Sequence, residues 1–108
     1  MTIKMTQRRL EALHILLTAA LKTFLPADIP EKLLYELVDK LNDRIRAKMK
    51  KSLYDNRQGY SLKLNSVEAK ALYCWYRHIE LSMKEAGHYT YEMIVANDII
   101  HLIDKEYA

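Results

Sequence analysis

The chain has 108 residues, of which half are hydrophobic and only two each are Gly and Pro. That length favours a single domain spanning 1–108, and the composition excludes a disordered, collagen-like or loop-dominated chain. Lys and Arg outnumber Asp and Glu by 17 to 14, too mild an excess to predict nucleic-acid or membrane binding by itself, and one Cys excludes an intramolecular disulfide framework.

Apolar residues recur with a helical period along most of the chain. Leu10, Leu13, Leu17, Ala20, Leu21 and Phe24 fall on one face of a first helix, expected from about Thr6 to Leu25 and stopped by Pro26. Lys4, Arg8 and Arg9 ahead of Ile15–Leu17 have the order of a secretory leader, but the internal Glu11 and His14 and the amphipathic spacing argue against one. The stretch from Leu10 to Leu25 is also too short and too interrupted to cross a bilayer. With an unpaired Cys, these features favour a cytoplasmic protein that does not engage a membrane.

The second helix starts clearly. Asp28 caps it, Pro30 suits the first turn, and Glu31 completes a capping-box spacing. Leu34, Leu37, Val38, Leu41, Ile45, Met49 and Leu53 form its stripe, so it is expected to run to about Leu53 as the longest helix. Asp55–Gly59 is the best turn candidate. Beyond it, Tyr60–Leu64 alternates apolar and polar residues and is read as the only strand-like segment, either an extended loop or a strand pairing with its own copy across a dimer axis.

Asn65 or Ser66 caps the third helix, whose main stripe is Ala71, Leu72, Trp75, Ile79, Met83 and Ala86. Gly87 is placed to end it in the left-handed conformation. A fourth helix starts near Thr90 and runs almost to the last residue, with Val95, Ile99, Leu102 and Ile103 along one side. The expected fold is therefore all-α, a small four-helix bundle-like domain with a short extended segment between the second and third helices.

Several spacings test whether this bundle carries chemistry. Glu11–His14 and Asp98–His101 have the acid-x-x-His step used by di-iron bundles, but such ligands must project inward. On a helical wheel Glu11 points away from its apolar stripe, and Asp98 and His101 fall among Asn97, Asp104 and Lys105. Cys74 and His78 share a helix face but lack a third ligand, and a lone helical Cys is more often a small buried hydrophobe. No phosphate-binding glycine loop and no nucleophile elbow occurs. The expectation is a protein that is not an enzyme and needs no cofactor or metal.

Charge is more informative in its distribution. From Lys40 to Arg57 seven basic residues face two acidic ones, a local excess of +5 in a chain of net +3. Lys40, Arg44, Lys48 and Lys51 form one ridge of the second helix, with Arg57 in the turn beyond. The ridge is either a solvated face favoured by the helix dipole, or a docking site for nucleic acid or an acidic protein. The third and fourth helices make a poor helix-turn-helix, because residues 88–108 are net acidic where a recognition helix needs cations.

The third helix is apolar on a second side. Val67, Ala71, Cys74, His78 and Leu81 make a row beside the main stripe, and Tyr73 and Tyr76 add aromatic area. A helix apolar on two sides is either central in its bundle or covered by another chain. The leading expectation is a non-enzymatic protein-protein interaction module, self-associating as a homodimer through Val67, Ala71, Tyr73, Cys74, His78 and Leu81 and the extended segment before them. The alternative is a small nucleic-acid-associated protein using Lys40, Arg44, Lys48, Lys51 and Arg57.

Overall fold

The computed structural model describes residues 1–55 and 59–108, with 51–55 as backbone only. Four helices and two short strands follow one another as β1 (Thr2–Thr6), α1 (Gln7–Thr23), α2 (Ile29–Asp55), β2 (Gly59–Lys63), α3 (Ser66–Ala86) and α4 (Thr90–Tyr107). The expected helical bundle is present. The turn expected at 55–59 lies largely outside the described residues, as do Arg57 and the side chains of Lys51 and Leu53.

Local chemistry sets most of the boundaries. Thr6 is the N-cap of α1 rather than its first residue, its hydroxyl accepting from the Arg9 N–H at 3.2 Å. The helix stops at Thr23, two residues short of the expected Leu25, with Phe24 already extended ahead of Pro26. At the start of α2 the Asp28 carboxylate accepts from the Glu31 N–H at 2.9 Å, while Glu31 accepts from the N–H groups of Ala27 and Asp28. Asn65 and Glu68 form the same reciprocal box on α3, which ends at Gly87 with φ 73°.

The strand-like segment pairs within its own chain, not across a dimer axis. β2 lies antiparallel to β1, with Ile3 opposite Leu62 and Met5 opposite Tyr60. Thr2–Thr6 was not foreseen as a strand, although it too alternates, with Ile3 and Met5 buried between exposed Thr2, Lys4 and Thr6. The ladder continues through Met1 and Leu64, where the Leu64 N–H donates to the Met1 carbonyl at 2.9 Å and the Met1 amino group to the Leu64 carbonyl at 2.7 Å.

Each helix packs on its chain neighbours and α4 also packs on α1, closing a ring. Glu31–His78 and Arg44–Glu68 contacts set α2 antiparallel to α3, and Tyr76–Asn97 with Lys70–Tyr107 set α3 antiparallel to α4. Arg9–Asp98 at 2.8 Å and Arg8 stacked over Tyr91 tie α1 to α4. Buried residues from all six elements form one core, centred on Leu13, Leu16, Leu17, Leu41, Leu72, Tyr76 and Ile99. Leu102 and Ala86, expected in the stripes, are exposed instead, and Phe24 is half-buried.

Candidate interaction surface

The outward side of α3 carries the surplus apolar row foreseen from its spacing. Leu72, Trp75, Tyr76, Ile79 and Met83 turn into the core and leave the opposite side to solvent. Val67 is 60% exposed and Leu81 67%, with Cys74 and His78 exposed between them. Two members of the expected interface are placed differently. Ala71 is buried. Tyr73 is half-buried against the core, with Arg77 over its ring at 5.5 Å. The expectation that Cys74 is a small buried hydrophobe does not hold.

Val67, Cys74 and Leu81 stand seven residues apart and so share one line along α3. Lys70, Arg77 and Lys84 make a second line on one flank, and Ala71, His78 and Glu85 a third on the other. His78 bridges to α2, its Nε2–H donating to Glu31 Oε1 at 2.9 Å. The Ala27 N–H, then the His78 hydrogen bond, hold the Glu31 carboxyl below the usual carboxylate range. Glu31 therefore caps α2 and ties it to α3 at once.

Exposed apolar residues around the start of α2 were not foreseen. Leu25, Ile29 and Leu33 are all exposed, Ile29 by 81%, the most of any large hydrophobic residue described. Ile29 and Leu33 are one turn apart on α2, off the stripe of Leu34, Val38 and Leu41. The available signal was Leu33 itself, an apolar residue about 100° round the helix from Leu34 and so at the margin of the stripe. Beside Leu25 and the Glu31–His78 bridge lies a cleft of about 380 Å³, walled by Phe24, Leu34, Tyr35, Trp75 and Ile79.

The cationic ridge is largely put to internal use. One Arg44 nitrogen donates to the Glu68 carboxylate and another to the Lys63 carbonyl. Lys48 donates to the Ser61 carbonyl. Both side chains thus hold α2 along the edge of β2, in an open groove of about 1110 Å³ that also includes Glu68. Lys40 is exposed. The structure therefore does not present these cations as one free row.

The remaining polar spacings do not converge. His14 and Thr18 of α1 meet Asn42 of α2, which is buried. The Asn42 amide nitrogen donates to Thr18 Oγ1 at 3.1 Å, so its oxygen faces His14 Nδ1 at 2.8 Å and that ring nitrogen donates. Asp98 pairs with Arg9 instead, and His101 is exposed. Among the described residues no three His, Cys, Asp or Glu side chains are grouped as metal ligands, and no helix is long and apolar enough to cross a membrane. Comparison with known proteins finds no match: no family model, no curated protein and no solved structure matches the chain.

Proposed function

We propose that the chain is a non-enzymatic protein-protein interaction module that self-associates through the outer face of α3 and the adjoining start of α2. The observation that carries this reading is the line of Val67, Cys74 and Leu81, which the fold leaves exposed along the outer face of α3. A line of exposed apolar side chains on one helix face suits a contact site. The histidines that touch other helices, His14 and His78, work as fasteners between them, which supports a binding role over catalysis.

A second copy fits the charges on that face. Two α3 helices lying side by side and parallel across a two-fold axis bring their apolar lines together. The same arrangement sets the Lys70–Arg77–Lys84 flank of each against the Glu85 flank of the other, Lys84 beside Glu85 of the copy. An antiparallel pair would oppose the cationic flanks, which is unfavourable.

Sedimentation equilibrium over a range of concentrations tests the reading. The expected result is reversible self-association that Val67→Glu and Leu81→Glu each weaken by about tenfold or more, since each places a charge where an apolar side chain would be buried. Both positions are exposed, so the variants keep the helical circular dichroism of the parent. A chain that stays monomeric at high concentration, or one whose association neither variant touches, overturns the reading.

A further inference from the structure

The two edges of the small sheet are treated unequally. In an antiparallel ladder, bonded residue pairs alternate with non-bonded ones. Met1 and Leu64 exchange both bonds, so Ile3–Leu62 and Met5–Tyr60 are the next bonded pairs. Thr2 and Lys4 on β1, like Ser61 and Lys63 on β2, therefore turn their backbone N–H and C=O groups away from the partner strand. On the β2 side Lys48 and Arg44 take the outward carbonyls of Ser61 and Lys63. On the β1 side no group among the described residues bonds to the outward N–H and C=O of Thr2 or Lys4, and both residues are exposed. On one edge both outward carbonyls are taken by side chains, and on the other neither carbonyl is.

We infer that the open edge of β1 pairs with β1 of a second copy, antiparallel across a two-fold axis, to make a four-stranded sheet in the order β2–β1–β1′–β2′. An unpaired row of backbone groups is a template for another strand. A second copy suits it better than a foreign peptide for two reasons. The copy arrives with its β1 already held extended by β2, whereas a free peptide must be ordered as it binds. The side chains also define a self-complementary register. Centring the two-fold on Lys4 would oppose two ammonium groups on the same face, which is unfavourable. Centring it on Ile3 places Lys4 opposite Thr2 of the copy and creates two bonded pairs from the groups that are open. It also sets Ile3 against Ile3 of the copy on the core side, extending the apolar layer. In this arrangement Lys4 selects the register.

This surface shares no residue with the outer face of α3, and Arg44 and Lys48 bond to β2, the other strand of the sheet. The inference is independent of the reading given above, and the two fail separately. With both surfaces intact, two-fold pairs join into larger even-numbered assemblies.

The test uses the full chain in a Val67→Glu, Leu81→Glu background, which removes the α3 contact. The background protein is expected to remain a dimer by sedimentation, with the Thr2 and Lys4 amides gaining hydrogen-exchange protection as protein concentration rises. Lys4→Pro in that background removes one outward N–H without breaking the β1–β2 ladder, as proline does on an edge strand. It is expected to raise the dimer dissociation constant by about tenfold or more and to abolish the protection at Thr2. A second measurement needs no variant at position 4. In a mixture of isotope-labelled and unlabelled protein, the Ile3-centred register brings the Hα atoms of Met1 and Met5 of opposite copies into contact, and an intermolecular signal between them is expected. Concentration-independent exchange at Thr2 and Lys4 together with no such signal overturns the inference. So does protection that appears only when a different polypeptide is added. A background protein that is monomeric while the parent chain dimerises leaves the α3 reading standing and ends this one.

Discussion

Two buried polar side chains show how single residues constrain this bundle. Asn42 sits between α1 and α2 and is satisfied on both sides, by His14 and Thr18, so it adds direction to an interface otherwise held by shape. Tyr76 is enclosed by the core, with its hydroxyl donating to Asn97 Oδ1 at 3.0 Å. Burial, then the nearby Glu80 carboxylate, push its phenol from the ordinary 10 up to about 12. The folded chain therefore holds that proton more tightly than the unfolded chain does. The stabilisation is fully present below pH 10 and declines as pH rises towards about 12, because only the unfolded state releases the proton in that window. Thermal unfolding followed from pH 8 upward, in parallel for the parent and Tyr76→Phe, checks this. The parent is expected to lose melting temperature more steeply than Tyr76→Phe across the window. Parallel slopes would show that this hydroxyl is not the group responsible.

At the scale of elements, the edge of β2 gives the basic ridge its clearest role. Lys48 and Arg44 supply charged donors to two carbonyls that would otherwise face solvent, and Arg44 also reaches Glu68 on α3. Lys48→Ala and Arg44→Ala are each expected to lower stability by about 1 kcal/mol, the low end for a charge-assisted hydrogen bond because the sites are partly solvated. In a domain of this size that corresponds to a fall of roughly 4–8 °C in melting temperature. Lys40→Ala, one turn away on an exposed site, is expected to change little. Equal losses at all three positions would mean that general charge and not the strand edge sets the effect. The contrast also shows which parts of the fold are legible in the chain. The boxes at Asp28–Glu31 and Asn65–Glu68 and the left-handed Gly87 act within a few residues, so spacing alone reveals them. β1 escaped because five alternating residues ahead of Arg8 and Arg9 read equally well as the run-in to a helix. Its partner lies some sixty residues away, beyond the reach of local propensity. The role of Arg44 and Lys48 depends in turn on the register of that pairing, so a helical wheel places them on a ridge without saying what the ridge touches. The apolar row of α3 was legible as surplus area, but which members stay outside depends on how the helices pack, which buries Ala71 and leaves Val67 and Leu81 exposed.

For the molecule as a whole, the question is whether the sheet is an appendage or part of the bundle. A two-stranded ribbon alone is marginal in water. Here its inward side chains, Ile3, Met5, Tyr60, Leu62 and Leu64, belong to the same buried cluster as Leu10 of α1, Ile45 of α2, Leu72 of α3 and Ile103 of α4. The cluster leaves no separate apolar layer under the sheet, so the ribbon and the helices should melt together. Ile3→Ala is then expected to destabilise the entire chain by about 2–4 kcal/mol, the usual range for truncating a buried aliphatic side chain where neighbours cannot fully collapse. Trp75 is the only tryptophan and sits in the core on α3, an element that does not contain the substitution. Its fluorescence and the far-ultraviolet circular dichroism should shift to lower denaturant together, as one transition with an unchanged slope. A Trp75 signal that keeps the parent midpoint while the dichroism loses a small early step would show that β1 detaches by itself and that the bundle does not depend on it.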